Sequence, residues 1–111
     1  MQAGKLNRRV EVLKPNQTID QYGQHTTEYQ TFATVWANVK PIGGKEKLRA
    51  MAYDTVLTHE LTIRYDKRFL PTIAADAWHI KYGTRTFEVI SAVDWMDARQ
   101  WLVLEVREVG N

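Results

Sequence analysis

Apolar side chains return at every second position along most of this chain, and that period marks β-strands with one buried face. From Leu6 to Lys14, Val10 and Val12 lie on one face, with Arg9, Glu11 and Leu13 on the other. From Tyr29 to Val39, Val35, Ala37 and Val39 share a face opposite Trp36 and Asn38. Leu61, Ile63 and Tyr65 alternate with Thr62 and Arg64 over Thr58 to Tyr65, and Trp78, Ile80 and Tyr82 alternate with His79 and Lys81. Two further segments run from Thr86 to Val93 and from Gln100 to Val109. In the last, both faces are apolar over 101–104, which predicts a central strand with a neighbour on each side.

Glycine and proline punctuate these runs. Pro15 to Glu28 is polar, with Asn16, Asp20 and Gly23, and reads as a loop. Gly83-Thr84-Arg85 reads as a tight turn, and Asp94 to Arg99 as a second one. Only residues 45–53 change period. Leu48, Met51 and Ala52 sit at i, i+3 and i+4, one face of a short helix, with Gly44 at the N-cap and Glu46 in the first turn. The expected fold is mainly β: a small antiparallel β-barrel or sandwich of about six strands, with one short helix in a long insertion over 42–57. At 111 residues, 1–111 form a single domain.

Several function classes fall away on composition. There is no cysteine, hence no disulfide, thiol nucleophile, iron–sulfur cluster or Cys-ligated zinc. No apolar run approaches the roughly 18 residues of a membrane span, and no signal-peptide stretch follows Met1, so neither membrane insertion nor secretion by that route is expected. The net charge of +2 is a small surplus despite a pI near 9.0, far from that of a DNA-coating protein.

No catalytic constellation stands out. His25, His59 and His79 have no metal-ligand spacing and read as ordinary strand or loop residues. Asp94 and Asp97 share a turn, where aspartate is common because its side chain bonds nearby backbone. Ser91, the single serine, lacks the glycines of a nucleophile elbow. Gly43-Gly44-Lys45 lacks the spacing of a phosphate loop. No enzyme activity, cofactor or metal is expected.

Charge and aromatic groups are distributed unevenly. Lys40, Lys45, Lys47 and Arg49 against Glu46 give +3 within 40–49, and the last eighteen residues carry −2. A chain polarised in this way suits stacking with copies of itself. Trp36, Trp95 and Trp101 are many large rings for one small core, and Trp95 with Met96 at a turn tip is the candidate protein interface.

In order and spacing these segments resemble the phage head–tail joining proteins, the head–tail adaptor or head-closure proteins of long-tailed phages. The likeness covers nearly the whole chain. It is carried by Gly4-Lys5-Leu6-Asn7-Arg8-Arg9-Val10, Asp20-Gln21-Tyr22-Gly23, Val35-Trp36-Ala37-Asn38-Val39-Lys40-Pro41 with Gly44-Lys45-Glu46, Thr58 to Tyr65, and Phe87 to Asp94. The departures are the extra glycine at Gly43-Gly44 and a full link at Ala74 to Trp78.

The resemblance implies a non-enzymatic virion structural protein at the head–tail connector, made in the bacterial host cytoplasm, of phage or prophage origin. It implies a homo-oligomeric ring, a dodecamer in the virion and a monomer when free. The ring docks on the portal or an adaptor protein, closes the DNA-filled head and offers a platform to a tail-side connector protein. On this reading Lys45, Lys47 and Arg49 face the packaged double-stranded DNA or the portal, and Gly43 and Gly44 form the insertion hinge. The alternative is a small nucleic-acid-binding β-barrel of the oligonucleotide-binding type, for which aromatic strands interleaved with Arg and Lys argue.

Overall fold

Six antiparallel strands make up the computed structural model, which describes residues 6–42 and 57–109. They are β1 (Arg8–Ile19), β2 (His25–Pro41), β3 (His59–Arg64), β4 (His79–Tyr82), β5 (Arg85–Asp94) and β6 (Trp101–Val109). Their order is β1-β2-β3-β6-β5-β4. β4 then pairs back onto β1 through Glu11–Leu13, so the sheet closes in a ring. Of the two expected architectures, one sheet closed on itself replaces two stacked sheets. β6 lies between β3 and β5, the central position that its two apolar faces predict.

Alternation decides which side chains fill the interior. Val10 and Val12, Leu61 and Ile63, Phe87 and Val89, and Leu102, Leu104 and Val106 are all buried at 1% exposure or less. Ala37 brings β2 into the same core with a small side chain. Two bulges adjust this pattern. Val12 pairs with Ala33 but Leu13 with Thr31, so Phe32 is the extra residue on β2. Val89 pairs with Val106 but Ser91 with Glu105, so Ile90 is the extra residue on β5. The second bulge inverts the alternation. Ala92 packs against the core, Val93 is exposed, and Ile90 packs on the buried Ile42 and Leu57 in a separate small cluster.

The stretch between β3 and β4 is fuller than a connector. Asp66 Oδ1 accepts from the Arg68 backbone N–H at 2.9 Å and caps a 3₁₀ turn at Lys67–Phe69. A single-turn helix follows at Thr72–Ala75. Together they insert Phe69, Ile73 and Trp78 into the core, each buried, with Phe32 packed 5.8 Å from Phe69 and 5.1 Å from Trp78 between ring centroids. Burying one such ring contributes about 1.5–3 kcal/mol. This is the short helix that the described residues contain; the one expected over 45–53 lies outside them.

One expectation is corrected. Pro15 to Glu28 is not a loop. β1 and β2 run through it in register from Lys14↔Gln30 to Ile19↔His25, and only Asp20–Gln24 turns. Asp20 Oδ1 accepts from the N–H groups of Tyr22 and Gln24, both at 2.9 Å. Gly23 takes φ +79°, a conformation glycine adopts without steric cost. Beyond Leu13 and Gln30 these strands pair only with each other, so the hairpin is a two-stranded arm without a core behind it. An isolated ribbon is marginal in water. This one is reinforced by Asn16 Nδ2 donating to Gln30 Oε1 at 2.8 Å and by the Thr18 and Thr26 hydroxyls at 2.7 Å. The molecule measures 49 × 29 × 27 Å.

Candidate functional site

The candidate channel-facing residues Lys45, Lys47 and Arg49, and the candidate hinge Gly43 and Gly44, lie outside the described residues. The structure does describe the base on which the insertion stands. The Ile42 N–H donates to the Thr58 carbonyl at 3.1 Å, and the Thr58 N–H donates to the Val106 carbonyl at 3.0 Å. Ile42, Leu57 and Ile90 cover this junction with apolar contact. The chain therefore leaves β2 and enters β3 at one point.

Polar groups close around the same point. The Thr58 hydroxyl accepts the Glu108 backbone N–H at 2.7 Å and lies 3.0 Å from His59 Nδ1. The other ring nitrogen, Nε2, lies 3.2 Å from Arg85 Nη2, so a neutral imidazole with its proton on Nδ1 satisfies both contacts. Arg85 in turn holds Glu108 with two bonds of 3.0 Å. That guanidinium holds the Glu108 carboxyl below the usual carboxylate range, and Glu108 raises Arg85. Thr58, His59, Arg85 and Glu108 thus tie the ends of β3, β5 and β6 together at the insertion. Sequence spacing could not reveal this set, because its members come from three segments far apart along the chain.

The candidate interface at Trp95 and Met96 is a tight corner between β5 and β6. Asp94 Oδ1 accepts the Arg99 backbone N–H at 2.9 Å, the turn-forming role expected of an aspartate here. The turn holds Met96, Asp97 and Arg99 at φ 58°, 52° and 55°. Left-handed backbone costs a side-chain-bearing residue roughly 1–2 kcal/mol. Met96 is 74% exposed, and Trp95 is half-buried.

The remaining candidates do not converge. Ser91 donates to Glu105 Oε1 at 2.8 Å, across a strand pair that contains no histidine. His25 pairs with Ile19 on the arm. His79 stacks on Tyr29 with ring centroids 3.8 Å apart, and partial burial pushes its pKa down. Among the described residues no three His, Cys, Asp or Glu side chains gather where they would hold a metal, and no helix is long and apolar enough to cross a membrane. Sequence reasoning missed the arm, whose tip exposes Ile19 at 66% and Tyr22 at 80%. The Asp20-to-Gly23 turn was its visible signal.

Comparison with known proteins agrees with this picture of a small closed sheet bearing appendages. A solution structure of protein SF1141 from Shigella flexneri 2a is 27% identical, covers 100% of this chain and 99% of its own, and superposes with a TM-score of 0.76. A chain from the virion of a native gene transfer agent particle shares the fold at 19% identity, with a TM-score of 0.57 over 93% of this chain and 94% of its own. No curated protein matches the chain. The family model for phage head completion proteins matches residues 1–109, almost end to end, and the chain belongs to that family.

Proposed function

We propose that this protein closes the DNA-filled head of a long-tailed phage. Copies dock as a ring on the portal, continue the DNA channel and offer a platform to the tail. The observation that carries this reading is the family match across residues 1–109. The role is structural rather than enzymatic: the interior is filled with apolar side chains, and Asp66, Arg68, Arg85, Glu88, Arg107, Glu108 and Asp94 serve ion pairs and a turn.

Lys45, Lys47 and Arg49 of the insertion face the packaged DNA or the portal. A ring multiplies a modest charge per subunit into a strong field along the channel. Weak phosphate contacts then retain DNA without blocking its passage. The tied base at Ile42 and Thr58 supports this reading, because it gives the insertion a rigid origin on the sheet.

The test is a docking assay with DNA-filled, tailless heads of the phage that encodes the protein. The expected result is added ring density at the portal vertex and improved DNA retention. Heads that stay bare and leak as before would overturn the reading. Salt-dependent binding of single strands by the monomer would then favour the oligonucleotide-binding alternative.

A further inference from the structure

The arm is acidic along its length and apolar at its end. Between Pro15 and Phe32 there is no lysine or arginine, and the two carboxylates are Asp20 and Glu28. The tip brings Ile19, Asp20 and Tyr22 together, and both apolar side chains are exposed. Asp20 fixes their presentation. Its Oδ1 accepts the N–H groups of Tyr22 and Gln24, while its Oδ2 makes no hydrogen bond among the described residues. A carboxylate oxygen flanked by two large apolar groups therefore stands at the end of a ribbon that has no core behind it.

The complement to this tip stands on the outer face of the sheet. Arg9 pairs with Trp36, and Arg64 pairs with Trp101. One step beyond the Ala37↔Ile63 pair sets Trp36 beside Arg64. Trp36, 51% exposed, is thus flanked by two guanidinium groups. Arg9 lies 4.9 Å from the Trp36 ring centroid, and Arg64 lies 5.3 Å from that of Trp101. Arg68, Arg85 and Arg107 are each held by a carboxylate, whereas Arg9 and Arg64 meet none among the described residues. A stacked guanidinium keeps its N–H edge free to meet an anion. The row offers aromatic surface to Ile19 and Tyr22 and cations to Asp20.

One molecule cannot join its own two halves. From Trp36 to His25 the strand advances about 3.3 Å per residue, which holds the tip roughly 35 Å from the row. The tip can meet only the row of another copy. Its complements then lie on well-separated parts of each chain, so the contact is head-to-tail, passes from copy to copy and closes where the rotation does. We propose that in the ring on the portal each arm reaches across to the next copy. Ile19 and Tyr22 of the arm pack on that copy's Trp36, and Asp20 lies between its Arg9 and Arg64. This rests on the head-closure reading and names the contact between neighbours. Three tip residues cover far less than the roughly 1,000 Å² of a stable interface. The free protein therefore stays monomeric, and the contact forms between copies that docking already holds side by side. Duplex DNA fits the arm poorly, because Asp20 and Glu28 repel phosphate.

Disulfide trapping on DNA-filled, tailless heads tests the contact. The chain has no cysteine, so Tyr22→Cys and Trp36→Cys introduce its only thiols. Both positions are exposed, and an unchanged far-ultraviolet circular dichroism spectrum confirms each variant as folded. The double variant docked on heads should oxidise to a ladder in steps of 12.9 kDa, and the same variant free in solution should stay at one step. A mixture of the two single variants should stop at two chains, because each then carries half of a contact. Without introduced thiols, Arg64→Glu should lower head occupancy tenfold or more, and Gln21→Arg at the tip of the same chain should restore it. Ring density without a ladder would overturn the contact and leave head closure standing, whereas wild-type protein that leaves heads bare would remove both. Either single variant cross-linking by itself would overturn the head-to-tail arrangement, since like ends would then meet. So would an Arg9→Ala, Arg64→Ala variant that fills heads normally but loses salt-dependent binding to duplex DNA, because the row would then be a phosphate surface.

Discussion

Replacing residues 43–56 by a turn of four or five residues should separate the fold from its function. Every anchor described at the insertion lies outside the cut. The Ile42 N–H still meets the Thr58 carbonyl, the Thr58 N–H still meets Val106, and Glu108 still donates to the Thr58 hydroxyl. Ile42, Leu57 and Ile90 still cover one another. The loop shortens about threefold, and closure entropy scales as (3/2)RT ln n, so the shortening is worth roughly 1 kcal/mol in favour of the folded state. For a domain of this size that raises Tm by about 4 °C. Calorimetry measures the shift, and the docking assay on tailless heads measures function in parallel. The expected outcome is a protein at least as stable as the parent that no longer retains DNA in heads. A loss of cooperative unfolding would refute the energetic argument, since the insertion would then be part of the core. Normal head closure by a stable variant would refute the placement of function in the insertion.

Three further perturbations probe the rest of the molecule. Leu104→Ala empties a fully buried site on β6 and should cost about 3 kcal/mol in denaturant titration. Met96→Gly relieves left-handed backbone at an exposed position and should stabilise by roughly 1 kcal/mol, visible as a higher denaturation midpoint. His79 has a folded pKa below its usual value because burial disfavours the imidazolium, against a smaller opposing pull from Glu88. The unfolded histidine therefore takes up its proton first, and the associated stability, complete above about pH 6.5, is lost as pH falls through the folded value. His79→Phe keeps an aromatic partner for Tyr29 and should flatten that part of the stability profile. An unchanged slope would place the pH dependence elsewhere.

The inner surface of the sheet was legible because each strand carries its own evidence. Leu102, Leu104 and Val106 alternate with Trp101, Val103 and Glu105, and the first three are the buried ones. The arm was illegible for the complementary reason. Thr26, Thr27, Glu28 and their partners have no core behind them, so neither face is apolar and the period of two has nothing to register. Backbone pairing and cross-strand hydroxyl and amide bonds make the strands there. The network at the insertion base was likewise invisible, because Thr58, Arg85 and Glu108 come from three distant segments of the chain.

Outside the arm, the sequence by itself determined where strands form and, up to the bulge at Ile90, which of their faces turn inward, since both follow from side-chain alternation within a few residues. It also placed the turns at Gly83 and Asp94, which depend on local backbone chemistry, and the order of its segments carried the family. Only the tertiary structure decided which strands become neighbours, that β4 returns to β1, and in what register. Arg9, Trp36, Arg64 and Trp101 form a row because three strand pairings, each between distant segments, fall into step. No local pattern encodes that.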